Sequence, residues 1–267
     1  MPTVLCVPQW QGSSAPEAPR LQAGARRTAD LLPAGARVDV PVLDADGEKL
    51  RGVRRLDVLR ENLRLTREAL RAIDDVVVTA GGDCGVELGP ISAARARHGD
   101  ALTVLWIDAH PDVSTPATLP SGSFHGMVLR TLLGEGAAEL VPDDPLVPGQ
   151  VVLTGIREFE LSQREYLGAA GIRWHGVEDF ERALDGLSGP VYLHVDLDVL
   201  DPSEFTSVGY SSSGGPSVQR VLDVIARVDG VVGASITEHA PPDDADDADD
   251  ADVVRRIGAA VLARASA

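Results

Sequence analysis

Four apolar stretches of this chain run, with no spacer, into residues that bind metals or charged groups, and this pattern constrains the fold more than any other feature. They are Val76-Val-Val-Thr-Ala-Gly-Gly-Asp-Cys84, Thr103-Val-Leu-Trp-Ile-Asp-Ala-His-Pro-Asp112, Val191-Tyr-Leu-His-Val-Asp-Leu-Asp198 and Val231-Val-Gly-Ala-Ser-Ile-Thr-Glu238. Short β-branched runs that end in polar turns read as buried strands. In an open parallel sheet, side chains from several loops converge outside the carboxyl ends of the strands, so four such ends define one candidate site. The second stretch is the densest, with Asp108, His110 and Asp112 inside five residues. Alone it is also what an acidic turn with a capping Asp looks like; its repetition favours a site.

Around these stretches, strand candidates alternate with helical periodicity. Thr3–Val7, Arg37–Val42, Val151–Ile156 and Ile172–His175 complete a set of eight strands. A stripe of Leu56, Leu59, Leu63, Leu70 and Ile73 predicts a long amphipathic helix from Arg54 to Ile73. Further helices are predicted up to His98 and over His125–Leu133, Leu161–Ala169, Val177–Leu187, Pro216–Val228 and Val253–Ala265. This order gives an α/β fold with a mostly parallel sheet. A closed eight-stranded barrel fits the same length. The 267 residues suit one large core, so residues 1–267 are expected to form a single domain.

The net charge of −17 disfavours nucleic acid and anionic membrane surfaces as partners. No apolar run approaches the ~20 residues of a membrane helix. The start of the chain reads as a first strand, not a leader peptide, and two cysteines exclude a disulfide framework, so a cytoplasmic protein is expected. The Asp/Ala repeat from Asp243 to Asp252 reads as a solvated, mobile loop.

Asp196 and Asp198 lie two residues apart and so on one side of their strand end. With Asp108, His110 and Asp112 they supply about five ligands, too many for one tetrahedral ion, so two cations sharing carboxylates are implied. A carboxylate-dominated set with one or two imidazoles suits manganese over zinc. Asp201 is expected to fix the turn after them, Asp83 to bond within its own turn, His194 to stand satisfied behind the site and His239 to lie in an exposed loop.

The set Gly81-Gly-Asp-Cys84, Asp108-Ala-His-Pro-Asp112, Ser121-Gly-Ser-Phe-His-Gly126, Asp196-Leu-Asp-Val-Leu-Asp-Pro202 and Glu238 resembles the ureohydrolases, the arginases and agmatinases, over roughly two-thirds of the chain. The resemblance implies a three-layer α/β/α sandwich around a mostly parallel eight-stranded sheet, and hydrolysis of a guanidino group at a binuclear manganese centre. By it, Asp108 and Asp196 bridge both ions, Asp112 completes one, and His110 and Asp198 the other. His125 shuttles protons and Glu238 holds the guanidinium. The family's histidine ligand is Cys84 here, a soft donor that weakens the site shared with Asp112 for manganese or tilts it towards zinc; the alternative is a small buried cysteine that binds nothing.

The 17 positions from Asp108 to His125 resemble the arginase spacing, which implies an amino-acid substrate. Ser114, Ser121 and Ser123 would then meet its α-carboxylate and Glu160 its α-ammonium; arginases usually carry asparagine at the first and last of these serines. The Cys variant resembles hydroxyarginine hydrolases, so the expected substrate is Nω-hydroxy-L-arginine or L-arginine, giving ornithine with hydroxyurea or urea. The rival readings are a single-metal deacylase of acylated amines and a binding protein that has lost its chemistry. Because the chain stops just after its last helix, a monomer or small homo-oligomer is expected.

Overall fold

The computed structural model describes residues 1–33, 35–242 and 248–266. Its strands are β1 (Thr3–Val7), β2 (Ala36–Asp39), β3 (Lys49–Leu50), β4 (Val53–Arg54), β5 (Val77–Gly81), β6 (Thr103–Ile107), β7 (Val151–Thr154), β8 (Arg173–His175), β9 (Val191–Asp196) and β10 (Val231–Thr237). Its helices are α1 (Arg20–Leu31), α2 (Leu56–Arg71), α3 (Leu88–His98), α4 (Val128–Leu132), α5 (Leu161–Ala170), α6 (Val218–Ile225) and α7 (Ala248–Ala265). Apart from the β3–β4 hairpin, the strands form one sheet in the order β2-β1-β5-β10-β9-β6-β7-β8, and every pairing in it is parallel. The sheet is open, with β2 and β8 as edges, so the closed barrel is ruled out.

Parallel strands need crossovers, and the crossovers cover both faces, which is why the central strands are apolar throughout and not alternating. Every residue of β1 and β9 is buried. The period of two still sorts the side chains. Leu105 and Ile107 of β6 join Leu193, Ala234 and Ile236 in a core closed by α1, α6 and α7. Val104 and Trp106 point the other way, into a core closed by α2, α3, α4 and α5. The result is the α/β/α sandwich.

Some sequence expectations give way. The helix predicted over Val177–Leu187 is only a 3₁₀ turn, Phe180–Leu184. Asp179 instead accepts from His175 Nδ1 and Gly176 N, and the Phe180 carbonyl accepts from Thr154 Oγ1, so local partners displace the helical ladder. Helix α1 went unpredicted because its buried stripe is made of small residues, Gly24, Ala25, Thr28 and Ala29, beside Leu21. The strand expected over Arg37–Val42 ends at Asp39. Residues 243–247 of the acidic repeat lie outside the described residues, but Ala248–Asp252 form the first turns of α7 and no loop. There Asp250 is buried and accepts from Thr206 N, Thr206 Oγ1 and Ser207 Oγ. His239 is fully buried, with Nδ1 at 2.9 Å from Thr28 Oγ1 in α1, not in an exposed loop.

Candidate metal centre and substrate cavity

The four strands that end in ligand-type residues are neighbours in the middle of the sheet, β5-β10-β9-β6. Parallel pairing brings all four carboxyl ends to one edge, so residues as far apart as Cys84 and Glu238 meet there. The turn after β5 is pinned from below: Gly82 N donates to Val7 O, and the Gly82 carbonyl accepts from Glu238 N at 2.8 Å. A Cβ at Gly82 would lie 1.8 Å from the Gln9 carbonyl, so no other residue fits. Asp83 is buried and accepts from Gly85 N within its own turn, as expected, and also from Gly12 N and Gln9 Nε2 of the loop after β1. Asp112 and Glu238 both adopt positive φ, at 50° and 62°. Such backbone in non-glycine residues costs on the order of 1–3 kcal/mol and persists where surrounding structure imposes it.

The carboxylates of Asp108 and Asp196 are oriented by fixed donors. Asp108 Oδ1 accepts from His110 N at 2.7 Å and its Oδ2 from the Trp106 indole at 2.8 Å. Asp196 Oδ1 accepts from Asp198 N at 2.7 Å. His110 Nδ1 stands 2.9 Å from Asp198 Oδ2. The loop carrying Asp198 is held by the Arg157 guanidinium, which donates to the carbonyls of Asp198, Val199 and Ser212. Asp201 accepts from Ser203 and Gly214 N and so closes the turn, as expected. The Cys84 thiol lies 2.9 Å from Asp196 Oδ2 and its backbone N–H donates to Glu238 Oε1 at 3.0 Å. The same Glu238 oxygen is 3.1 Å from His125 Nδ1.

Among the described residues, two groups of donors are close enough to share an ion: Asp108, His110 and Asp198, and Cys84, Asp108, His194 and Asp196. Asp112 belongs to neither; it is buried beside them, and its carbonyl accepts from Leu129 N and Arg130 N at the start of α4. His194 is the member that sequence reasoning placed only behind the site. Its period-two relation to Asp196 on β9 was the available signal.

The electrostatics fit a cation. Burial raises the carboxyls of Asp108, Asp112 and Asp196 above their ordinary range, and repulsion between neighbouring carboxylates adds to it. Burial also raises the Cys84 thiol, reinforced by Asp196 and Glu238. Burial works against Asp198 too, but His110 outweighs it and holds that carboxyl low. For His125, burial opposes the charge, yet Glu238, Asp112 and Asp83 push its pKa up to about 9. Carboxylates crowded and raised in this way lack counter-charge, and a divalent ion would supply it.

Above these groups opens a cavity of about 420 Å³. Ser114, Ser121, Ser123, Glu160, His110, Asp112, His125, Asp196 and Asp198 all line it, as do Ser14, Glu158, Gln163 and Tyr210, which the sequence did not single out. The wall is hydroxyl-rich: Ser121 Oγ donates to Ser123 Oγ, which lies 2.5 Å from Ser14 Oγ, and Gln163 Nε2 donates to Ser114 Oγ. Tyr210 sits at the mouth, its ring 5.5 Å from that of His125.

Fold and site together define a metal-dependent amidinohydrolase, and comparison with known proteins agrees. Residues 14–264 match the Arginase family, to which the chain belongs. An arginase of Bacillus caldovelox is 29% identical over 228 residues, covering 76% of each chain. Among solved structures, an Entamoeba histolytica arginase in complex with L-ornithine superposes with a TM-score of 0.84 over 97% of both chains at 20% identity. The proclavaminate amidino hydrolase of Streptomyces clavuligerus does so with a TM-score of 0.77 over 99% of this chain and 91% of its own, at 22% identity. The chain is thus a ureohydrolase of this family, which displaces the deacylase reading.

Proposed function

We propose that this chain is a manganese-dependent amidinohydrolase of Nω-hydroxy-L-arginine, with L-arginine as the weaker substrate, yielding ornithine and hydroxyurea. It acts as one catalytic domain over residues 1–267, as a monomer or small homo-oligomer in the cytoplasm. Asp108 and Asp196 would be shared by two ions, one also held by His110 and Asp198, the other by Cys84 and Asp112. When bound, such a pair makes water a nucleophile at neutral pH and polarises the guanidino carbon. Glu238 pairs with the guanidinium and fixes that carbon over the centre. His125, in contact with Glu238 and with the cavity, carries the proton to the departing amine. Ser114, Ser121 and Ser123 receive the α-carboxylate, with Ser14 extending their chain of hydroxyls, and Glu160 at the rim receives the α-ammonium.

The observation that carries the reading is Cys84. Its sulfur lies 2.9 Å from Asp196 Oδ2, where a ligand would be. A thiolate donates more charge than an imidazole and lowers the Lewis acidity of its ion. An N-hydroxyguanidine whose oxygen would otherwise seize the centre can then turn over. The test is kcat/KM for hydroxyarginine over arginine in native enzyme and in Cys84→His. A tenfold native preference corresponds to about 1.4 kcal/mol in the transition state. A native preference for arginine, or an unchanged ratio in the variant, refutes the hydroxyarginine assignment. Release of no product from either substrate favours the binding-protein reading.

A further inference from the structure

The donor that the family pattern lacks at Cys84 has a neighbour able to replace it. His194 precedes Asp196 by two residues on β9, so both side chains leave the same side of the strand. Its Nε2 lies 3.7 Å from Cys84 Sγ and 3.9 Å from Asp108 Oδ2. For metal–ligand bonds of 2.0–2.3 Å, the edges of a tetrahedron are roughly 3.3–3.8 Å, so these separations are close to those between ligands of one ion. Cys84, Asp108, His194 and Asp196 are all buried, and their donor atoms all lie within 4.8 Å of one another.

The opposite side of the ring carries an independent sign. Nδ1 of His194 faces Ser235 Oγ at 3.1 Å and Glu87 Oε1 at 3.4 Å. Glu87 is fully buried, and among the described residues neither of its carboxylate oxygens has a hydrogen-bond partner. A metal-binding histidine typically turns its second nitrogen to a carboxylate, which fixes the tautomer and raises the basicity of the first. The ring cannot swing away, because it stacks on Trp106 with centroids 3.6 Å apart. The Trp106 indole in turn donates to Asp108 Oδ2, so one side chain orients two members of the group.

We infer that His194 is a direct ligand, through Nε2, of the ion held by Cys84, Asp108 and Asp196, and that this thiolate–imidazole set selects a zinc-class cation. The centre is then mixed. Cys84, Asp108, His194 and Asp196 would hold the softer ion, and the oxygen-rich group of Asp108, His110 and Asp198 would hold manganese. Ser235, at hydrogen-bond distance from Nδ1, and the Glu87 carboxylate 3.4 Å from it are the positioning groups behind His194. The inference rests on the metal-dependent reading above and narrows its Cys84 site.

The test uses the full chain, stripped of metal and dialysed against zinc with manganese in excess, followed by elemental analysis. One zinc and one manganese per chain are expected. His194→Phe keeps a ring against Trp106 but removes the donor, and should weaken zinc at least tenfold while leaving manganese bound; His194→Gln should behave alike. Glu87→Gln should weaken zinc 10–100-fold, the usual cost of losing an orienting partner. Cobalt(II) in place of zinc provides a second readout. The native protein should show a sulfur-to-cobalt charge-transfer band that Cys84→Ser abolishes, and the ligand-field bands should change in His194→Phe. Circular dichroism of the metal-free variants separates loss of a ligand from loss of fold. Zinc affinity and cobalt spectra unchanged in both folded His194 variants would overturn the assignment, as would two manganese ions in the native protein. Zinc behaving as expected beside absent hydroxyarginine turnover would sink the substrate reading alone.

Discussion

Stripping the metals should make the stability of this protein fall as pH rises. The clearest contribution comes from Asp83, which burial, and then the charge of Glu238, raises from an ordinary 3.8 to about 6. A carboxyl whose folded pKa is raised contributes stability that is fully present below its unfolded value and is lost as pH climbs through the folded one. The shift is about two units, or ~3 kcal/mol at 1.36 kcal/mol per unit. At roughly 2–4 °C per kcal/mol for a chain of this size, Asp83 alone lowers the melting temperature by ~6–12 °C between about pH 4 and 8. Asp108, Asp112 and Asp196 are displaced in the same direction and add to the fall. His125 extends it, because its contribution is complete below ~6.5 and is lost through about 9. Asp198 has a lowered pKa, so its loss lies in the acid range and does not oppose the trend. Divalent ions neutralise the crowded carboxylates, and ligand at 100 times its Kd adds about 2.7 kcal/mol. The assay is differential scanning fluorimetry from pH 4 to 8.5, with chelator and with zinc plus manganese. A flat profile for the chelated protein, or one unaltered by metal, would refute the reasoning.

Other outcomes are expected from single residues. Asp108→Ala or Asp196→Ala should abolish metal binding and turnover together, as elemental analysis and a hydroxyurea assay would show; retained turnover in Asp196→Ala would exclude a shared carboxylate. Asp250→Ala should cost on the order of 2–4 kcal/mol in urea unfolding with activity intact per folded molecule, since it leaves three donors unmet.

What could be read in advance followed from chemistry that repeats. The strands were legible because burial on both faces makes them continuous apolar runs, as in β1 and β9. The ligand residues were legible because each stands directly at such a run's end. What escaped depended on partners far along the chain. Helix α1 packs on β1 and α7 through small residues that give little periodic signal. Ser14 and Tyr210 reach the cavity from loops with no motif of their own. Asp250 looked like one more charge in a low-complexity repeat, and only the fold brings Thr206 and Ser207 to it. His194 belongs to one of the quoted stretches, yet its place among the donors depends on β9 lying between β10 and β6.

The position of β10 bears on how the molecule is made. It is the last strand in the chain, yet it lies between β5 and β9 and supplies the sheet pairing for both. A growing polypeptide that has not released residues 231–237 therefore has a gap in its central layer. Cys84 and Asp196 then have no β10 between them to fix their spacing. Pairings of such long sequence separation form late and slowly. β10 is thus expected to join the sheet late, and the spacing of Cys84 and Asp196 becomes fixed only when it does. Until then the unmetallated acids repel one another.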